Sequence, residues 1–556
     1  MLLSEQEQNE QMDNEDSPVV KNASSSQQPM ELEPQPSRSS WSHVPTQSAT
    51  AASNATTGSG SMSVHATPVN KIKVESTVTS AKGKGLSSFV VRTSTAEKCA
   101  FDEQVAKMIY ATNSPFRLVE HPEFQKLLSM MRPGYRPPSR KEIADKFLPV
   151  VFQKEMDQCK EVLMDATVSM ALDGWSNVHN EPIVCVTVTT EEGKIYLTDT
   201  VDTSGKPHTA EYLEELAVSS VRKTESDFGC RVRSIVTDNA ANVAKMRRNL
   251  EQREDIDVIT YGCSAHLLNL LAHDMEISNV KEHIVYVMKY FRNNHFALAE
   301  YRKEGGHSLV LPQETRWNTM CDSLKSYISN WSIMMKICET HRQVLDSVVH
   351  QKVTNVGLKR SAEDLLSRLE PIAEALDRVQ RDGSSIADAV AAWKLLEEKL
   401  PCLDDRVLKQ KFKARYDQAI TPAHTLAYLL HPQYEGSSLS SKERDEALVY
   451  ANTKYAHLVP TVMKFQGHSK PFLDFHFSPD VISSMSAADW WRSHKQVLTP
   501  DPEVLQSILQ LLTSVASSAG VERVFSSFGL VQSKLRNQLG TDKASKLVFL
   551  YKFLNP

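Results

Sequence analysis

The sequence predicts an α/β core continued by a long all-α stretch and preceded by a polar tail. Three observations carry that reading. Residues 165–202 hold three strand-like runs, after which helix, strand, helix and strand patterns alternate, an α/β order. From about 275 to 500 the apolar spacing is almost wholly helical. Residues 1–97 are rich in Ser, Gln, Pro, Thr and Asn, with only Trp41 and Phe89 as aromatics, too little apolar surface to offset the entropy of ordering. The 556 residues are enough for several domains at ~150 residues each.

The formal charge of −5 excludes a uniformly basic nucleic-acid wrapper, so any DNA contact must come from local patches. No run approaches the ~18 apolar residues of a membrane span, and the first residues lack a charged-then-apolar leader pattern. A soluble intracellular protein with no membrane partner is expected. The eight cysteines stand singly at 99, 159, 185, 230, 263, 321, 338 and 402. Without a Cys-x-x-Cys pair there is neither a disulfide framework nor a zinc finger evident, and reduced thiols are expected.

The tail ends on a mild basic bias, Lys71, Lys73, Lys82, Lys84 and Arg92, which suits a solvated linker or a nuclear-import or phosphate-contacting stretch. From about 98 to 160 a small helical domain is predicted. Phe101–Tyr110 and Pro122–Met131 carry helical spacing, and Ser139 with Glu142 reads as a capping box opening a helix over Lys141–Phe152. The core's first part is expected over 161–275. There Val168, Met170 and Leu172 alternate toward Asp173, Ile183–Val188 is β-branched, and Ile195-Tyr196-Leu197 starts a third strand. A helix over Thr209–Lys223, the strand Val232–Val236 ending at Asp238, a helix near Ala241–Glu251, the strand Val258–Tyr261 and a helix from His266 follow. The helical stretch, 276–500, is either a second all-α domain or an insertion, with breaks expected at Gly305-Gly306, Pro312, Pro371, Pro401 and Pro432. Residues 501–556 hold two or three amphipathic helices within Pro502–Phe553.

An aspartate at a strand's carboxyl end projects into the crevice where α/β sheets bind ligands, and Asp173 and Asp238 both fit. Two hard carboxylates suit Mg²⁺, and a third from a helix would allow two ions ~4 Å apart. Glu522, in Ser518-Ala519-Gly520-Val521-Glu522-Arg523-Val524-Phe525-Ser526-Ser527, is the candidate, partly shielded by Val521, Val524 and Phe525. Each acid also has an ordinary reading. Asp173 before Gly174 could form a turn, Asp238 could cap a helix, and Glu522 could be a solvated helix-face acid. Cys263 and His266 begin a helix after a strand; a zinc pair, a thiol nucleophile and a buried structural Cys beside a capping His all remain open. Arg316 beside Trp317 offers a phosphate clamp and a stacking plate for an unpaired base, or simply a core Trp.

Taken together these strings resemble the hAT-superfamily transposases and proteins derived from them. The matching stretches are Pro115–Phe124, Pro137–Arg140, Leu172–Ser176, Thr237–Asn242, Cys263–His266, Thr315–Asn318 and Ser518–Ser527, in family order. The resemblance implies an α/β ribonuclease-H-like core interrupted by a large all-α insertion, with the last core helix and a dimerisation region in 501–556. It implies an Asp-Asp-Glu site at Asp173, Asp238 and Glu522 that binds Mg²⁺ or Mn²⁺. It puts His266 near DNA at that site and Trp317, beside Arg316, against a flipped base. The apolar Leu535, Leu539, Leu547, Val548, Leu550, Tyr551 and Phe553 fit a homodimer or higher homo-oligomer. Six basic side chains from Arg523 to Lys552, against one acid, Asp542, could meet phosphates. Residues 1–98 hold no cysteine, so the BED zinc finger of many family members is expected to be missing. The expectation is a nuclear, DNA-binding, transposase-like dimer capable of metal-assisted strand cleavage. The alternatives are a host-adopted, non-catalytic DNA- or chromatin-associated factor, or a scaffold using only its dimer surface.

Overall fold

A computed structural model describes residues 93–177, 180–312, 317–498, 502–532 and 539–555. The tail expected over 1–97 falls outside these up to residue 92, but helix α1 (Thr95–Ala111) already occupies its last three positions. Ser94 accepts the Glu97 N–H and Glu97 returns the bond, a capping box that fixes the start. The Ser139–Glu142 box is also present, and opens a helical run that continues through α2 (Leu148–Leu163).

The sheet has five strands in the order β3-β2-β1-β4-β5. Strands β1 (Thr167–Ser176), β2 (Pro182–Thr189) and β3 (Ile195–Asp202) form an antiparallel meander. Helix α3 (Ala210–Phe228) crosses to β4 (Arg231–Thr237), which pairs with β1 in parallel. Helix α4 (Ala241–Glu251) leads to β5 (Ile259–Gly262), parallel to β4. Thr209 caps α3 and the left-handed Gly229 ends it, as helix-end chemistry requires.

The sheet is buried on both faces. Met170, Leu172 and Ile235 join an apolar cluster with α1, α2 and α3; Ala171, Val236 and Tyr261 join a second one with the helices that follow. These begin with α5 (Ser264–Asp274) and include α6 (Trp317–Thr340), α7 (Val356–Val379) and α8 (Ile386–Lys399). Pro371, expected to break this stretch, lies inside α7. Leu369, Ile372, Ala373 and Leu376 around it are buried, and that packing outweighs the ~3 kcal/mol a mid-helix proline costs. The chain then returns to the sheet as α9 (Ala519–Val531), which packs on β1 and β2, and α10 (Thr541–Phe553), which packs on α2 and β3. The fold is therefore mixed α/β and mostly helical.

Candidate functional site

The parallel ladder between β1 and β4 ends at Ala171↔Val236. Two residues on from each, and so on the same face of the pleat, stand Asp173 and Asp238, carried by adjacent strands ~5 Å apart. Asp173 is not at the end of its strand, as expected, because β2 keeps pairing β1 as far as Ser176↔Pro182. Only the β4 side of β1 stops, and that one-sided ending opens the crevice.

Asp173 accepts the Gly174 N–H through Oδ1 at 2.8 Å. Asp238 does not cap α4. The cap position is Ala240, whose N–H donates to Asp238 Oδ1 at 3.3 Å. The Asp238 carbonyl accepts from the half-buried Arg247, which also donates to Thr237 Oγ1 at 2.6 Å and Asn239 Oδ1 at 3.3 Å. Asn239 Nδ2 reaches the Cys263 carbonyl at 3.0 Å. A Cβ on Gly262 would lie 1.8 Å from Asn239 Oδ1, so only glycine admits this arrangement. Arg247 and Gly262 carry no motif of their own. The one legible signal is Arg247 on the α4 face of Val243 and Glu251, four residues to either side.

Glu522 comes to the crevice on the first turn of α9, exposed rather than shielded, while Val521, Val524 and Phe528 beside it are buried. Trp175 of β1 stacks on Phe525 with ring centroids 6.0 Å apart and meets Phe528 at 5.3 Å, holding α9 against the strand that carries Asp173. Asp173 senses the other two acids. Burial first, then Asp238, then Glu522 raise the Asp173 carboxyl well above the usual carboxylate range, and the Gly174 N–H offsets part of this. Among the described residues no three His, Cys, Asp or Glu side chains converge into a ready metal cage. The acids share an electrostatic site without being drawn in around a point.

Cys263 is buried, and its thiol is pushed up by burial and then by Glu522. A thiol held protonated is a poor nucleophile and a poor metal ligand. Its role is structural: Sγ accepts the Ser518 N–H at 3.4 Å, pinning the approach to α9. His266 is partly exposed on the first turn of α5. Seven residues on, ~10 Å along the axis and on the same face, His273 meets Trp317 edge-on at 4.7 Å between centroids. Lys281 lies 5.7 Å from the Trp317 ring, and these three border a cavity of about 390 Å³. Arg316 lies outside the described residues. Arg523 is engaged within the chain, donating to the Gln380 carbonyl at 3.2 Å and pairing with Asp382.

The apolar side chains expected to form the self-association surface are largely used internally. Leu547, Val548 and Leu550 are buried, and Phe549 meets Phe152 of α2 at 5.1 Å; Leu535 lies outside the described residues. Two more of the basic side chains are neutralised, Lys543 by Asp145 at 2.7 Å and Lys546 by Asp542 at 2.8 Å. Lys534 and Arg536 lie outside the described residues.

Fold and site together define a mixed α/β protein that brings three acids, distant in sequence, to the crevice where the β1–β4 ladder ends. Residues 138–289 match a family described as a domain of unknown function, DUF659. Residues 469–554 match the hAT family C-terminal dimerisation region. A putative transcriptional regulator, tpeD, of Talaromyces stipitatus is 26% identical over 191 residues, which are 32% of this chain and 22% of that protein. The chain thus spans about a fifth of that relative's length. Together these matches support an hAT-family, transposase-derived protein, and the dimerisation match supports self-association.

Proposed function

We propose that the protein is a nuclear, self-associating, transposase-like DNA-binding protein whose Asp173, Asp238 and Glu522 bind Mg²⁺ or Mn²⁺ at the edge of a ribonuclease-H-like core. The observation that carries this reading is that Asp173 and Asp238 stand side by side where the β1–β4 ladder ends, with Glu522 near enough that, after burial, it and Asp238 raise the Asp173 carboxyl. Like charges gathered at one place are costly, and a divalent cation offsets that cost. The donor set fits: three carboxylate oxygens suit a hard cation, while the neighbouring soft ligand, Cys263, is held neutral and occupied. The strand order, an antiparallel meander extended by two parallel strands, supports the ribonuclease-H-like assignment.

When bound, the metal would activate a water or 3′ hydroxyl for attack on a phosphodiester and steady the departing oxygen. The chain's own residues supply the frame. Arg247 fixes the backbone at Asp238, and the Trp175–Phe525 stack fixes α9. His266 opens α5 and Trp317 lies further along it against His273, and we assign both to DNA, the indole face as a stacking surface for a base. Arg316 and Arg523 are assigned to phosphate contacts, the latter through guanidinium N–H groups not spent on Asp382 and the Gln380 carbonyl.

The test is nicking or hairpin formation on DNA ends by the full chain with Mg²⁺ or Mn²⁺, against Asp238→Ala. Metal-dependent cleavage lost in the variant supports the reading. Equal inertness of both proteins overturns the catalytic part. In that case the second reading stands, a host-adopted DNA- or chromatin-associated factor, which the putative transcriptional regulator among its relatives favours.

A further inference from the structure

Glu522 owes its place to a short strap, Ser514–Ser518, gripped from two sides. On the sheet side the Val515 N–H donates to Ser169 Oγ of β1 at 3.4 Å, the Ser264 N–H to the Ala516 carbonyl at 3.2 Å, and the Ser518 N–H to Cys263 Sγ at 3.4 Å. The opposite side is held by the turn Gln380–Ser385 that joins α7 to α8. The Ala516 N–H donates to the Ser384 carbonyl and the Ile386 N–H to the Ser514 carbonyl, each at 2.8 Å. Ser517 Oγ donates to the Val379 carbonyl at 2.8 Å.

The same turn takes hold of α9 itself. Arg523 donates to the Gln380 carbonyl at 3.2 Å and pairs with Asp382; Lys552 of α10 is the further charge facing both. Successive helical residues point ~100° apart. With Arg523 tied to the turn, rotation of α9 about its axis is opposed, and Glu522, the residue before it, is held on the first turn at the crevice. The turn is braced from behind by the β2–β3 hairpin, where a Cβ on Gly193 would lie 2.7 Å from the Gly383 nitrogen.

We propose that the Gln380–Ser385 turn, latched by Asp382 to Arg523, is the positioning device that sets Glu522 against Asp173 and Asp238 and so tunes metal affinity at the three acids. This rests on the metal-binding reading above. Asp382 touches no reacting atom, so it is a positioning residue, and its exposed place lets it be changed without loss of the fold.

The experiment is Mn²⁺ titration of the full chain followed by electron paramagnetic resonance, comparing wild type, Asp238→Asn, Asp382→Asn and Asp382→Glu, with a thermal midpoint for each. An exposed ion pair bounds the effect, so Asp382→Asn should weaken Mn²⁺ binding about threefold to fivefold, with the midpoint unmoved and with Asp382→Glu restored to within about twofold of wild type. Unchanged affinity in Asp382→Asn overturns the latch. A midpoint that falls in step with affinity, with no rescue by Glu, reduces Asp382 to a structural role and overturns it as well. If wild type binds Mn²⁺ no better than Asp238→Asn, the metal-binding reading itself fails and takes the latch with it, an outcome visible before any Asp382 variant is measured.

Discussion

The contact between Gly193 and Gly383 can be weighed against an internal control. Gly193 and Gly205 sit in turns at the two ends of β3, with φ of +79° and +74°. Alanine at either position meets the same left-handed backbone strain, about 1–2 kcal/mol. Their surroundings differ. Nothing lies within 4 Å of a Cβ at Gly205, whereas at Gly193 it would stand 2.7 Å from the Gly383 nitrogen and 3.0 Å from the Asp382 carbonyl carbon. Both neighbours are backbone, so no side chain can swing aside, and the turn itself must shift. Overpacking of that kind costs about 1–3 kcal/mol. Gly193→Ala should therefore cost about 2–5 kcal/mol, against about 1–2 kcal/mol for Gly205→Ala. A chain of this size need not unfold in one step, so the assay is hydrogen exchange read peptide by peptide. Exchange should quicken across 190–195, 380–386 and 514–531 in Gly193→Ala, and only around 203–207 in Gly205→Ala. Equal effects confined to each site's own turn would refute the argument that the hairpin braces the strap.

Asp173→Asn removes a carboxyl whose folded pKa is raised above the unfolded ~3.9. Such a group favours folding while protonated, and that contribution fades as pH climbs from about 4 through the raised folded value. In metal-free buffer the variant should match wild type near pH 4 and gain over it as pH rises; thermal midpoints that stay parallel across the series would refute the shift. Leu550→Ala, at a fully buried position of α10, should cost about 2–5 kcal/mol in denaturant titration while leaving the oligomeric state unchanged in light scattering. Dissociation without loss of stability would return α10 to the interface. Gly262→Ala should displace Asn239 and free Arg247 from it, with faster exchange at the Asp238–Ala241 amides; unchanged exchange there would count against the Arg247 brace.

Much of the core was legible because its strands announce themselves. β-branched runs and the alternation before Asp173 predicted all five strands to within a few residues, and Ala241–Glu251 matches α4 at both ends. Pro371 misled, because a local rule met a helix whose stability comes from buried neighbours on both sides. Of the C-terminal apolar residues, Leu547, Val548 and Leu550 are buried within the chain, while the match of 469–554 to a dimerisation region supports self-association. Amphipathicity states that a face must be covered, not by what, and α2 and β3 of the same chain cover it. Arg247 was silent because its work is done on main-chain and amide oxygens of the adjoining turn, which leave no mark at a fixed spacing.

Glu522 poses the harder problem, since residues 263–518 separate it from the sheet. Local sequence offers only an acid on a helix, and its exposure in the folded chain agrees with that modest reading. What brings it to Asp173 is main-chain bonding at the mouth of the helical span. The span departs at Cys263-Ser264 and returns at Ala516–Ser518, and those ends bond directly to each other, Ser264 N–H to the Ala516 carbonyl and Ser518 N–H to Cys263 Sγ. A connection that leaves and re-enters at one point imposes little on the core, because the entropy of closing it grows only by about 0.6 kcal/mol per doubling of length. The core can therefore tolerate helices in number between β5 and α9, provided the mouth stays pinned. The contacts that pin it, Cys263 on one side and the Gln380–Ser385 turn on the other, are also those that aim Glu522.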